Sequence, residues 1–164
     1  MTVVAFVLSV ILGTGSLAYG YSQMGLTNPT RWLVLLGILW LVAHWRKYYW
    51  FSSLALFIII AAAAFGVWVE FPTIWMLLGA LGGVLGWDLS DFARRLSYAS
   101  STDDISGMER RHLARVVIVA ALGFGLALLS LYIRINRLAF EVAVVLVLLA
   151  VLGLTRLVIG LRKY

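Results

Sequence analysis

The chain of 164 residues contains no cysteine, so disulfides, thiolate metal sites and cysteine nucleophiles are excluded. It has two prolines, Pro29 and Pro72, and neither interrupts an apolar run. Charged residues make up only 12% of it, seven acidic side chains against thirteen basic ones. The longest hydrophilic stretch, about Ser97 to Arg111, is a loop and leaves no room for a soluble domain. No Asp, Glu, Lys, Arg or His falls near the middle of any apolar run. Proton- and sodium-coupled transporters, and many intramembrane hydrolases, place ionisable groups there because the work requires them. The H-E-x-x-H, G-x-S-x-G and P-loop motifs are absent too. These absences weigh against both pump and enzyme.

What remains is apolar: 63% of the residues. They fall in six runs, residues 3–21, 30–47, 50–70, 72–92, 113–133 and 138–160. Each is long enough to cross a hydrocarbon core of roughly 30 Å as a helix, which takes about 20 residues. Lipid offers the backbone no hydrogen bonds, and no alternating strand pattern appears, so helices are the expected spanning element. The predicted fold is all-α: one transmembrane domain over residues 1–164, a compact bundle of six transmembrane helices. Ala18-Tyr19-Gly20 loosely fits a small-x-small cleavage site, but no Lys or Arg precedes the first run. It is therefore read as a retained helix and not a signal peptide.

Turn chemistry marks the helix ends. Asn28-Pro29 reads as an N-cap followed by proline at the first helical position, and Pro72 does the same for helix 4. Ser106-Gly107-Met108-Glu109 is a capping-box pattern that starts helix 5 before the bilayer. Asn136 marks the turn into helix 6. With the N-terminus inside, the cytoplasmic side carries Arg46, Lys47, Arg94, Arg95, Arg110, Arg111, Arg115, Arg156, Arg162 and Lys163. The outer side carries only Arg31, Arg134 and Arg137. That bias predicts cytoplasmic N- and C-termini in a plasma (inner) membrane. Aromatic residues agree as interfacial belts: Trp45, Tyr48, Tyr49, Trp50, Trp87 and Tyr98 inside, and Tyr19, Tyr21, Trp32, Trp68, Trp75 and Tyr132 outside.

Helix 4 carries the strongest packing motif, two overlapping GxxxG pairs, Gly79/Gly83 and Gly82/Gly86. Such a stripe lets another backbone approach closely, so that van der Waals contact replaces the hydrophobic drive that lipid removes. Ala121 and Gly125 in helix 5, or Ala62 and Gly66 in helix 3, offer a matching stripe, and an oligomer contact is the other use. Helix 1 places Ser9, Gly13, Thr14, Gly15 and Ser16 near mid-span. Glycines flanking hydroxyls can mark an unwound segment that lines a pore or binds a ligand. The plainer reading is hydroxyls bonded to the preceding turn and glycines that permit packing. Leu12–Ala18 also echoes Leu122–Ala127 weakly.

The densest polar cluster closes helix 4: Asp88, Asp91, Arg94 and Arg95, with Glu109 and His112 at the same interface. Asp88 and Asp91, three residues apart, share a helical face. Paired carboxylates beside head groups could hold Mg²⁺. The plainer alternative is a helix end with carboxylates paired to Arg94, Arg95 or the basic start of helix 5. The Asp-x-x-Asp-x-x-Arg spacing resembles about seven residues of the CDP-alcohol phosphatidyltransferase signature, whose members are six-helix membrane enzymes. Phe92 stands where that signature has glycine, and its downstream G-x-x-x-D-x-x-x-D half is absent, so the chain is not assigned to the family. His44 has no partner in sequence, Glu141 pairs by spacing with Arg137, and Arg156 can snorkel.

The expected function is that of a structural, assembly or partner-binding membrane subunit. A passive channel lined by helix 1, or an interfacial head-group enzyme using Asp88 and Asp91, are the alternatives. No cofactor or bound metal is expected. The expected partners are membrane lipids, with anionic head groups at the cytoplasmic face, and other copies or subunits of a membrane complex. The net charge of +6 is read as basic residues flanking spans, not as a nucleic-acid surface.

Overall fold

The structure, a computed structural model, describes residues 2–98 and 105–132. Among these the chain forms five helices and no strand: α1 (Thr2–Gln23), α2 (Thr27–Trp45), α3 (Trp50–Trp68), α4 (Thr73–Leu96) and α5 (Ile105–Tyr132). The chain divides into a unit of Met1–Ala127 and a second of Leu128–Tyr164. The expected sixth span, with Asn136, Arg137, Glu141 and Arg156, lies outside the described residues. Four of the helices, α1, α3, α4 and α5, are long and apolar enough to cross a membrane. The second expected span coincides with α2, whose first turn is Thr27-Asn28-Pro29-Thr30-Arg31, so its apolar stretch is confined to 32–43.

The starts of α2 and α4 differ from the turn chemistry by two residues and one. Gly25 takes φ +74° and Leu26 N–H reaches back to Tyr21 O, reversing the chain earlier than Asn28 would. Helix α2 therefore starts at Thr27 with Leu26 as N-cap and no side-chain cap, and Thr30 Oγ1 donates to Leu26 O at 2.8 Å. Pro72 is the N-cap of α4, one position before the helix. Ser106 lies inside α5, which begins at Ile105, so it is not the N-cap of a capping box. The α3–α4 turn is tight. Glu70 adopts φ +61° and Phe71 N–H bonds Gly66 O at 2.9 Å, a left-handed close that satisfies orphan carbonyls of α3.

Hydrogen bonds between elements place alternate helix ends together. The starts of α1, α3 and α5 meet the ends of α2 and α4 through Thr2–Glu109, His44–Ser90, Ser52–Ser90 and Asp88–His112. At the opposite end Tyr21 donates to Ala62 O and packs edge-on against Phe71, while Tyr19 meets Trp75. Tyr21 is buried there, a core residue and not a member of an interfacial belt.

The core is centred on α1 and α4, with Phe6, Val10, Leu17, Trp40, Ile59 and Met76 almost fully enclosed. Elsewhere large apolar side chains such as Leu8, Ile11, Phe57, Leu122 and Leu126 point outward. A surface of that kind suits a lipid surround and not water.

Candidate functional site

Three arrangements determine what the molecule can do: a glycine seam, a buried polar chain, and a groove beside α5. In the seam, a Cβ on Gly13 would lie 2.9 Å from Gly83 N and 3.0 Å from Gly82 C. A Cβ on Gly82 would sit 2.8 Å from Ser9 O. Two backbones therefore touch, which only glycine at these positions allows. Gly83 also faces the Ile59 side chain of α3, and a Cβ on Gly86 would meet Trp40 of α2 at 3.0 Å. One turn of glycines thus brings α4 against three helices. Of the stripes expected to match it, Gly66 lies against Met76 and Phe71. Gly125 meets nothing within 4 Å and Ala121 is exposed, so among the described residues that stripe of α5 is not part of the seam. The helix 1 echo fails in the same way: Gly13 is enclosed, Gly123 and Gly125 are not.

Ser9, Thr14 and Ser16 are all buried in α1, which is continuous from Thr2 to Gln23. Ser9 Oγ donates to Ala5 O and Thr14 Oγ1 to Val10 O, each at 2.8 Å. Their hydroxyls are thus engaged within the helix itself, and no unwound segment presents carbonyls to a ligand. Thr14 also fills the space left by Gly37, where a Cβ would lie 2.6 Å from its Oγ1. The groove beside it, about 220 Å³, is lined by Val10, Ile11, Val34 and Ile38 among others and is open to one side.

The buried polar chain was not legible in the sequence. Trp40 Nε1–H donates to Ser52 Oγ at 2.9 Å, Ser52 and Ser90 share a 2.7 Å bond, and Ser90 Oγ lies 3.3 Å from His44 Nδ1. An indole can only donate. A run Trp40 to Ser52 to Ser90 to His44 uses each donor once if His44 Nδ1 accepts, that is, if the ring is neutral with its proton on Nε2. Phe6 stacks on His44 at 4.0 Å and meets Trp40 edge-on. His44, without a partner nearby in sequence, is therefore tied to α1 and α4. The only local signal was that Ser52 and Ser90 sit beside apolar helix faces, where a hydroxyl needs a partner.

The charged cluster is divided. Asp91 receives Arg94 Nη2 and Arg95, the latter through Nε at 2.9 Å. Asp88 Oδ2 lies 2.9 Å from His112 Nε2, and Phe92 stacks on the His112 ring at 3.8 Å. Glu109 accepts from Thr2 Oγ1 at 2.8 Å. The structure brings Asp88 and His112 together, and directs Asp91 and Glu109 to other partners. Among the described residues no three His, Cys, Asp or Glu side chains converge to hold a metal.

Beyond that cluster α5 stands away from α4. A groove of about 510 Å³ runs between them, from Asp88, His112 and Arg115 at one end to Leu81, Val119 and Gly123 at the other. No protein family, curated protein or solved structure matches this chain.

Proposed function

We propose that the chain is a non-catalytic, multi-pass subunit of the plasma membrane that acts in assembly or partner binding. In this reading it has six spans and both termini cytoplasmic. The observation that carries it is the engagement of the chemistry-bearing side chains within the bundle. Asp91 is held by arginines, Asp88 by His112, Glu109 by Thr2, and the serines by Trp40 and His44. No buried side-chain nitrogen or oxygen among the described residues lacks a partner. Reactive sites usually leave a buried polar group unsatisfied, and the engagement of these groups with one another supports the structural reading. The juxtaposed helix ends also put Thr2, the 46–49 turn and the end of α4 on one side, the side that the Lys and Arg bias assigns to the cytoplasm.

Native gel electrophoresis of the full chain, tagged and extracted from its own membranes in mild detergent, tests the reading. A discrete assembly larger than one detergent-bound chain is expected, and migration as a lone chain would sink it. Saturable thermal stabilisation by Mg²⁺, lost in both Asp88→Asn and Asp91→Asn, would overturn the reading in favour of a metal site of the kind the head-group enzyme requires. Reporter fusions at Tyr164 and within 97–104 should both read cytoplasmic.

A further inference from the structure

We infer that the groove between α4 and α5 is a seat for one anionic phospholipid of the cytoplasmic leaflet, its acyl chain in the groove and its phosphate on Arg115. The inference rests on the membrane-spanning reading above but not on the subunit role.

The groove is amphipathic along its length. Its deep walls are Leu81, Val84 and Leu85 of α4 and Val116, Val119 and Ala120 of α5, and Gly123 leaves its far end open. Trp87, Asp88, His112 and Arg115 line the opposite end. His112 to Gly123 covers eleven helical steps, roughly 16 Å at about 1.5 Å each. That is close to half of a hydrocarbon core of roughly 30 Å, the depth of one leaflet. A single acyl chain therefore spans the groove while its head group meets the polar end.

The polar end carries one carboxylate, Asp88, and one guanidinium, Arg115. Asp88 Oδ2 is engaged by His112 Nε2, and Phe92 covers the imidazole. Arg115 is exposed and lines the rim, with no salt bridge to a described carboxylate. Arg111 lies one helical turn earlier on the same side, and like charges at this spacing repel unless an anion sits between them. A guanidinium grips phosphate through paired N–H groups, which a zwitterionic lipid's choline would partly oppose. Trp87, whose Nε1–H donates to Ser53 Oγ at 3.3 Å, sits where an indole favours the head-group boundary.

Native mass spectrometry of the full chain in mild detergent, titrated with phosphatidylglycerol or phosphatidylcholine of identical acyl chains, reads retention of the lipid. Wild type should retain one phosphatidylglycerol under activation that strips phosphatidylcholine. Arg115→Gln should lower that retention roughly fivefold, the worth of one basic residue at an anionic surface. Arg46→Gln, on the same side but off the groove, should leave it unchanged. A Cβ at Gly123 meets nothing within 4 Å among the described residues, so Gly123→Leu should leave the melting temperature unchanged while retention drops. Equal retention of the two lipids would overturn the inference. So would an Arg46→Gln effect matching Arg115→Gln, which means diffuse attraction, or indifference to Gly123→Leu. A photoreactive residue at Val119 in native membranes should yield a phospholipid adduct; a crosslink to residues 138–160 or to a second copy would give the groove another occupant. A chain absent from the membrane fraction would defeat the spanning reading itself, a separate result.

Discussion

Helix α4 has two unlike sides. Toward α1 it presents Gly79 and Gly82, and at Gly82 its backbone meets that of Gly13 with no side chain between them, while Gly83 and Gly86 face Ile59 of α3 and Trp40 of α2. Toward α5 it presents Leu81, Val84 and Leu85, and the helices part to leave a groove of about 510 Å³. The same helix is therefore locked on one side and held at arm's length on the other. In lipid, burying a leucine between helices gains little over leaving it among acyl chains, so large side chains do not pull helices together. Close contact must come from shape. Glycines supply it on one side of α4 and are missing from the other.

The largest effect should follow from breaking the seam. Gly82→Ala drives a methyl group into Gly13 and Ser9 backbone, which cannot swing aside. The cost should be about 3 kcal/mol, the upper range for overpacking, read as a drop in melting temperature in detergent. Gly20→Ala meets only Met76 Cε and Trp75 Cβ, and the methionine end can move. It should cost clearly less. Equal losses would mean that close backbone approach is not what holds α1 to α4.

The polar end of α4 comes next. Ser90→Ala removes the link between Ser52 and His44 at a site that is 1% exposed. Leaving buried groups unpaired costs about 1–2 kcal/mol, toward the lower end in membranes because unfolded helices also find partners. Ser53→Ala, on the exposed side of α3 beside Trp87, should cost far less. If the two substitutions cannot be told apart by thermal melts, the buried chain contributes nothing to holding α2, α3 and α4 together.

On the groove side, α5 is held mainly where its first turns meet α1 and α4. Asp88→Ala removes the acceptor for His112, a partly exposed pair worth about 1 kcal/mol or less. Its consequence should be geometric rather than energetic. Because the chain has no cysteine, spin labels on introduced cysteines report without background. The distance between labels at Leu81 and Val119 should broaden in Asp88→Ala, while one between α1 and α4 stays unchanged. Parallel broadening of both would contradict the division of α4 into a locked and a loose side.

The sequence pattern foresaw apolar helices, their approximate ends and the stripe of glycines on α4. It could not say which helix would meet that stripe. Periodicity identifies a face of a helix but carries no address for its partner: the sequence offered Ala121 and Gly125 of α5 or Ala62 and Gly66 of α3, and the backbone that meets the stripe is that of Gly13 in α1. His44 and Ser90 lie 46 residues apart, so their contact depends on α2 and α4 already being in place. The charged cluster was legible as a location because charges avoid the bilayer. Its division into Asp88–His112 and Asp91–Arg94–Arg95 was legible only for Asp91, whose arginines are three and four residues away on the same helix.

The smallest effect is the sharpest check of the contrast. Gly125 sits on α5 in the same kind of Gly/Leu-rich surroundings as Gly82, yet among the described residues a Cβ there meets nothing within 4 Å. Gly125→Leu should therefore cost no stability, and the helix itself gains, since leucine is the better helix former by close to 1 kcal/mol in water. The paired melts of Gly82→Ala and Gly125→Leu in one detergent isolate packing from propensity, because both replace glycine inside a helix and only one has a backbone against it. A loss in Gly125→Leu as large as in Gly82→Ala would mean that this face of α5 is closed against another chain or another segment, and the loose side of α4 would then belong to a second, larger seam.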